Sequence, residues 1–82
     1  MTRVDIEYCV PCGFLERAER VQHALLDRFG EELDAVALVT GDHGVFRVDV
    51  DGETVYDKDE ADEGFDVETI VDRVDEAVGA TA

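Results

Sequence analysis

The sequence predicts an α/β (α+β) fold in which two helices pack on a four-stranded mixed sheet, in the order β-α-β-β-β-α. Three observations carry that prediction. Apolar residues alternate with period two near the N-terminus and again between residues 45 and 57. Two other segments repeat their apolar residues at helical spacing. The first of these segments separates two strand-like runs, and a helical crossover is the usual way to lay consecutive strands side by side in parallel.

Arg3-Val4-Asp5-Ile6-Glu7-Tyr8 alternates strictly and reads as the first strand. Cys9-Val10-Pro11-Cys12-Gly13 reads as a turn. Phe14 to Phe29 reads as a helix, with Phe14, Ala18, Val21, Leu25 and Phe29 along one stripe and Leu15 and Leu26 beside it. Glu16 and Arg20 lie four apart on its wet face in the favourable order, and Gly30 is a natural stop. The apolar run from Ala35 to Thr40 suits a strand covered on both faces or heavily shielded. Gly41-Asp42-His43-Gly44 reads as a plain turn that lies near the cysteines only if the strand after it neighbours the first.

Val45 to Val50 alternates, with Phe46, Val48 and Val50 on one face. Asp51-Gly52 suits a two-residue hairpin turn of type I′, which needs positive φ at both positions. Glu53 to Asp57 then returns, with Val55 expected opposite Val48. Asp57 to Gly64 reads as an acidic, solvated loop. Asp66 can cap a last helix whose apolar face is Val67, Ile70, Val71, Val74 and Ala77, with Glu68 near the positive end of its dipole. Residues 3–78 are expected to form the core of one domain, and Gly79-Ala80-Thr81-Ala82 to fray.

Charge narrows the functional classes. Seven Lys and Arg stand against 22 Asp and Glu, a formal net charge of −15. Nucleic-acid binding depends on cations that replace phosphate counterions, so it is not expected here, and neither is an anionic membrane surface. The longest apolar run falls far short of the roughly 20 residues of a membrane span, and the first residues lack the apolar segment of a secretory signal. The expectation is a soluble cytoplasmic protein. The acidity is spread along the chain, and apolar patterning argues against disorder. Self-repulsion over a Debye length of about 10 Å at 0.1 M salt falls away when that length shrinks to about 3 Å at 1 M. The composition therefore suits a halophilic cytoplasm.

Cys9 and Cys12 are the only cysteines, and they sit between the first strand and the first helix. A thiol near a helix N-terminus faces unpaired N–H groups and the positive dipole end, which favour the reactive thiolate. The two-residue gap lets the sulfurs close a reversible disulfide, and Pro11 stiffens the turn and suits a first helical turn. So short a loop gains little from closure entropy, which argues for redox chemistry over a stabilising bridge. A structural zinc site wants four ligands, and one C-x-x-C supplies two. His23 and His43 read as surface histidines, leaving a soft-metal (Zn or Cu) binding module as an alternative. Serine-nucleophile and phosphate-loop patterns are absent, and no catalytic carboxylate pair stands out among so many acids.

The segment Ile6-Glu7-Tyr8-Cys9-Val10-Pro11-Cys12-Gly13-Phe14 resembles the N-terminal signature of the selenoprotein W-like (SelT/SelW/SelH, Rdx) family. A second segment resembles its later signature: Gly44-Val45-Phe46-Arg47-Val48-Asp49-Val50-Asp51-Gly52, followed by Val55-Tyr56-Asp57-Lys58. The resemblance spans residues 3–78, and the acidic composition looks like that of a haloarchaeal, all-cysteine member. It implies a thioredoxin-like βαβββα fold and a thiol-based redox role for Cys9 and Cys12, with no cofactor. Selenocysteine members carry selenium at the position of Cys12, whereas general thioredoxin logic makes the first cysteine the attacking group, so the pair is assigned jointly. Pro11 is the only proline, so the cis-proline that faces the motif in thioredoxins proper has no counterpart.

The expected activity is thiol–disulfide exchange with a small-molecule or protein substrate, and reduction by a thioredoxin-type or low-molecular-weight thiol donor. A non-enzymatic protein whose cysteines switch partner binding is a third reading. The charge argument gives a direct check: circular dichroism against KCl concentration is expected to show native ellipticity at molar salt and its loss at low salt. Full folding at low salt would reject the halophilic reading.

Overall fold

The structure, a computed structural model, describes residues 2–60 and 64–81. Its elements are β1 (Arg3–Cys9), α1 (Leu15–Phe29), a single 3₁₀ turn (Gly30–Glu32), β2 (Ala35–Gly41), β3 (Phe46–Val50), β4 (Glu53–Asp57) and α2 (Val67–Thr81). The four strands form one mixed sheet in the order β2-β1-β3-β4. β1 pairs with β2 in parallel and with β3 antiparallel, and β3 and β4 form the hairpin.

Alternation sorts the two faces of the sheet. Val4, Ile6 and Tyr8 of β1 stand opposite Val50, Val48 and Phe46 of β3, and all six are buried. Both helices cover this face. Ala18, Val21, Leu25 and Phe29 of α1 and Ile70, Val71 and Val74 of α2 complete the core. α1 lies against β1 and β2, and α2 against β3 and β4. Each such buried Val, Leu, Ile or Phe side chain contributes on the order of 1.5–3 kcal/mol relative to exposure. At the centre is Phe46, whose ring meets Phe14, Tyr56 and Phe65 edge-on at 6.2, 6.3 and 5.5 Å between centroids.

The other face carries the charged members of the same strands. Arg47 donates from Nη2 to Glu7 Oε1 at 2.9 Å and lies 3.3 Å from Asp49, while Arg3 pairs with Asp5 at 3.0 Å. Asp66 caps α2, its Oδ1 accepting from the Glu68 N–H at 3.0 Å. The hairpin turn has φ of +51° at Asp51 and +85° at Gly52, as a type I′ turn requires.

Several expectations are corrected. β2 is an edge strand and half-exposed, with Val39 40% exposed; its apolar run reflects partial cover by α1. A bulge between Val48 and Asp49 makes Val55 the extra residue of β4, so Tyr56 rather than Val55 stands opposite Val48. Helix α1 begins at Leu15, with Phe14 at its N-cap. Glu16 and Arg20 form no ion pair among the described residues. Helix α2 runs to Thr81, and Ala82 lies outside the described residues. So do residues 61–63 of the acidic loop.

Gly41 closes β2 opposite Cys9. A Cβ there would stand 2.7 Å from Val45 Cγ1 and 2.8 Å from Glu7 Oε2. Glu7 can swing aside at the cost of its contact with Arg47. Val45 is β-branched, and its carbonyl receives the Cys9 N–H, so it yields only if backbone moves. Gly41→Ala is therefore expected to destabilise the protein by about 1–3 kcal/mol. Urea unfolding in molar KCl checks this, and an unchanged midpoint would contradict it.

Candidate functional site

The motif sits where the C-terminal ends of the two parallel strands meet their connecting loops. Cys9 is the last residue of β1, and its Cα partner on β2 is Gly41. The strand's hydrogen bonding continues into the turn on both sides. The Cys9 N–H donates to Val45 O at 2.8 Å, and the Val10 N–H donates to Gly41 O at 3.0 Å. Within the turn, Gly13 N–H donates to Val10 O at 3.1 Å and Phe14 N–H to Cys9 O at 3.3 Å. The Gly41-Asp42-His43-Gly44 turn, expected near the cysteines only if the third strand neighbours the first, does lie beside them because β3 pairs with β1.

Cys9 and Cys12 are joined as a disulfide with Cα atoms 5.3 Å apart. Their environments differ sharply. Cys9 is fully buried, yet stands apart from the main core cluster, on the face it shares with Gly41 and Glu7. Cys12 is exposed, as are Val10 (50%), Pro11 and Leu15 (47%) around it. The spacing suggested that Pro11 enters the first helical turn. Instead the whole Val10–Gly13 stretch precedes α1, and Cys12 lies three residues before its first residue.

The two histidines do not join the pair. His23 is exposed on α1, and His43 is 91% exposed, with its Nδ1 2.6 Å from Asp42. Among the described residues, no group of three or more His, Cys, Asp or Glu is arranged to hold a metal ion. Metal carriers with a C-x-x-C at this junction have the order β-α-β-β-α-β, with two strands between the helices, whereas here three strands, β2, β3 and β4, lie between α1 and α2. No helix among the described residues is long and apolar enough to cross a membrane.

Sequence reasoning missed the surroundings of Phe14. Its ring faces the Arg17 guanidinium at 4.7 Å and Lys58 Nζ at 6.0 Å, and Arg17 also lies 5.3 Å from the Phe65 ring. The members come from α1, the end of β4 and the segment before α2. Helical spacing relates only Phe14 to Arg17, so no local pattern reveals the group.

The sequence model of the Rdx family matches residues 3–76. A crystal structure of a protein from Bordetella parapertussis is 38% identical, covering 93% of this chain and 96% of its own, with a TM-score of 0.86. The crystal structure of a selenoprotein W-related protein from Vibrio cholerae is 26% identical, covering 94% of this chain and 96% of its own, also with a TM-score of 0.86. No functionally curated protein matches. The fold, the C-x-x-C junction and the match along nearly the whole length agree: the chain belongs to the Rdx family, with a selenoprotein W-like fold.

Proposed function

We propose that the protein is a thiol–disulfide redox protein in which Cys12 exchanges with the substrate and Cys9 resolves the product. The observation that carries this reading is the unequal burial of two bonded sulfurs, with Cys9 fully buried and Cys12 exposed. Exchange requires in-line approach of a thiolate to a disulfide sulfur, so access decides which sulfur meets an outside partner.

In the reduced protein, the Cys12 thiolate attacks a substrate disulfide. One substrate sulfur leaves as a thiolate and a mixed disulfide forms at Cys12. The Cys9 thiol then loses its proton and attacks the Cys12 sulfur, closing the intramolecular disulfide and expelling the second substrate thiolate. Two electrons pass from protein to substrate, and the two protein protons end on the two released thiols. With a peroxide, the Cys12 thiolate instead attacks one peroxide oxygen, the O–O bond breaks with release of water or an alcohol, and the sulfenic acid left at Cys12 condenses with the Cys9 thiol to the same disulfide with loss of a water. A thioredoxin-type or low-molecular-weight thiol runs the exchange backwards to regenerate the dithiol. Cys9 is fixed by its strand hydrogen bond, so it waits at a set distance and the second step is intramolecular.

Cys-to-Ser variants test the assignment. With a disulfide substrate in molar KCl, Cys12→Ser is expected to abolish turnover and form no adduct. Cys9→Ser is expected to accumulate one mixed disulfide per chain, visible by intact mass, and to turn over at least about 100-fold more slowly because the resolving step is lost. Wild-type turnover in both variants would remove the redox reading, and an adduct on Cys9 in Cys12→Ser would reverse the roles.

A further inference from the structure

We infer that Arg17 and Lys58 form an anion subsite beside the redox pair, selecting small disulfides and thiols that carry a carboxylate. The inference rests on the redox reading above. It begins with where the few cations go. Arg3, Arg28 and Arg47 each lie against a carboxylate, at 3.0, 3.6 and 2.9 Å. Arg17, like Arg20, does not, among the described residues, although acids outnumber bases three to one in this chain. It lies instead against the Phe14 and Phe65 rings. Lys58 comes to the same Phe14 ring, and its one described carboxylate neighbour is Asp59 at 3.6 Å, a side chain 77% exposed.

Both cations lie against one ring, at 4.7 and 6.0 Å from its centroid, so an anion held by both would offset their like charge. Both are rooted on rigid backbone. Arg17 is in the first turn of α1, and the Lys58 N–H donates to Phe46 O at 2.9 Å. Phe14, which they share, follows Cys12 by two peptide units, so the two Cα atoms are at most about 7.6 Å apart. The Phe14 N–H is itself bonded to Cys9 O. Both side chains are only partly buried and can turn a face to solvent.

The molecule as a whole repels anions, with its net charge of −15. At molar salt that long-range field is screened within about 3 Å, while a contact between ions persists. A local cation pair is therefore the form of anion selectivity that works in such a medium. The chemistry is the exchange already written: a disulfide whose carboxylate meets Arg17 and Lys58 presents its sulfur to Cys12, and the released thiolate carries its carboxylate away.

The test compares rates of oxidation of the reduced protein by three aliphatic disulfides: 3,3′-dithiodipropionate (dianionic), bis(2-hydroxyethyl) disulfide (neutral) and cystamine (dicationic). The readout is the anionic-to-cationic rate ratio within each protein, at the lowest KCl concentration that keeps native ellipticity. Arg17→Gln with Lys58→Gln is expected to lower the wild-type ratio by about two- to fivefold, the range of an exposed ion pair. Arg17→Lys, which keeps the charge, is expected to hold the ratio. An equal ratio in wild type and the double variant would overturn the subsite while leaving the redox reading intact. Failure of all three disulfides, the neutral one included, to oxidise Cys9 and Cys12 would instead bring down the redox reading and the subsite with it.

Discussion

The structure depends on β1 being paired along both of its edges. A strand with neighbours on each side has its register fixed twice, and here the parallel partner and the antiparallel partner agree from Val4 to Tyr8. A slip of one residue would turn Val4, Ile6 and Tyr8 out to solvent and Asp5 and Glu7 into the core, so the pattern of the sequence enforces the register. The two ladders do not stop where alternation stops. They run on through the Cys9 and Val10 N–H groups into Val45 and Gly41, so the redox turn hangs from the most constrained strand in the molecule. That is how a short chain with a modest core holds two sulfurs in a defined relation on a loop.

The same strand separates the chemistry of the two faces. Inward residues are apolar and make the core with α1 and α2. Outward residues are charged, and Arg47 spans Glu7 and Asp49 so that neighbouring carboxylates on β1 and β3 share one cation. Such half-exposed pairs contribute little individually, about 0–1 kcal/mol. Their value in this molecule is to offset like-charge repulsion on a sheet face crowded with acids. Cys9 falls on that polar face by alternation but not by environment. Val45 and Glu7 close over the adjacent Gly41, a packing possible only because residue 41 has no side chain.

Much of this was legible in the sequence because it is local. The period-two strands, the amphipathic helices, the Asp51-Gly52 turn and the Asp66 cap each follow from residues within a few positions of one another, and each has its counterpart in the structure. What was not legible is set by partners distant in the chain. The apolar run of β2 looks like a central strand, since composition reports what a strand avoids and not which neighbour it lacks. The bulge in β4, which leaves Val55 without a partner in the ladder and sets Tyr56 opposite Val48, is contained in no hairpin rule. The start of α1 at Leu15 follows from a turn already committed to backbone bonds at Gly13 and Phe14. The position of the cysteines could be read from spacing, but their unequal exposure could not, because Cys9 is paired with Gly41 and hydrogen-bonded to Val45, some 30 residues away in sequence.

That inequality gives the pair a direction that the symmetric motif lacks. Were both sulfurs exposed, either could be captured by an outside thiol, and the mixed disulfide could sit on the wrong one with no neighbour placed to resolve it. In the proposed exchange, with Cys9 enclosed at the end of β1, the outside partner meets Cys12 alone, and each mixed disulfide forms within reach of a resolving thiol. Enclosure also has a cost, since a buried thiol is harder to ionise and slower to attack. Proximity offsets that cost, because an intramolecular step with a fixed nucleophile gains orders of magnitude in effective concentration. Under the proposed mechanism the two demands of exchange fall to different residues: contact with the outside to the sulfur on the turn, and certainty of resolution to the sulfur on the strand.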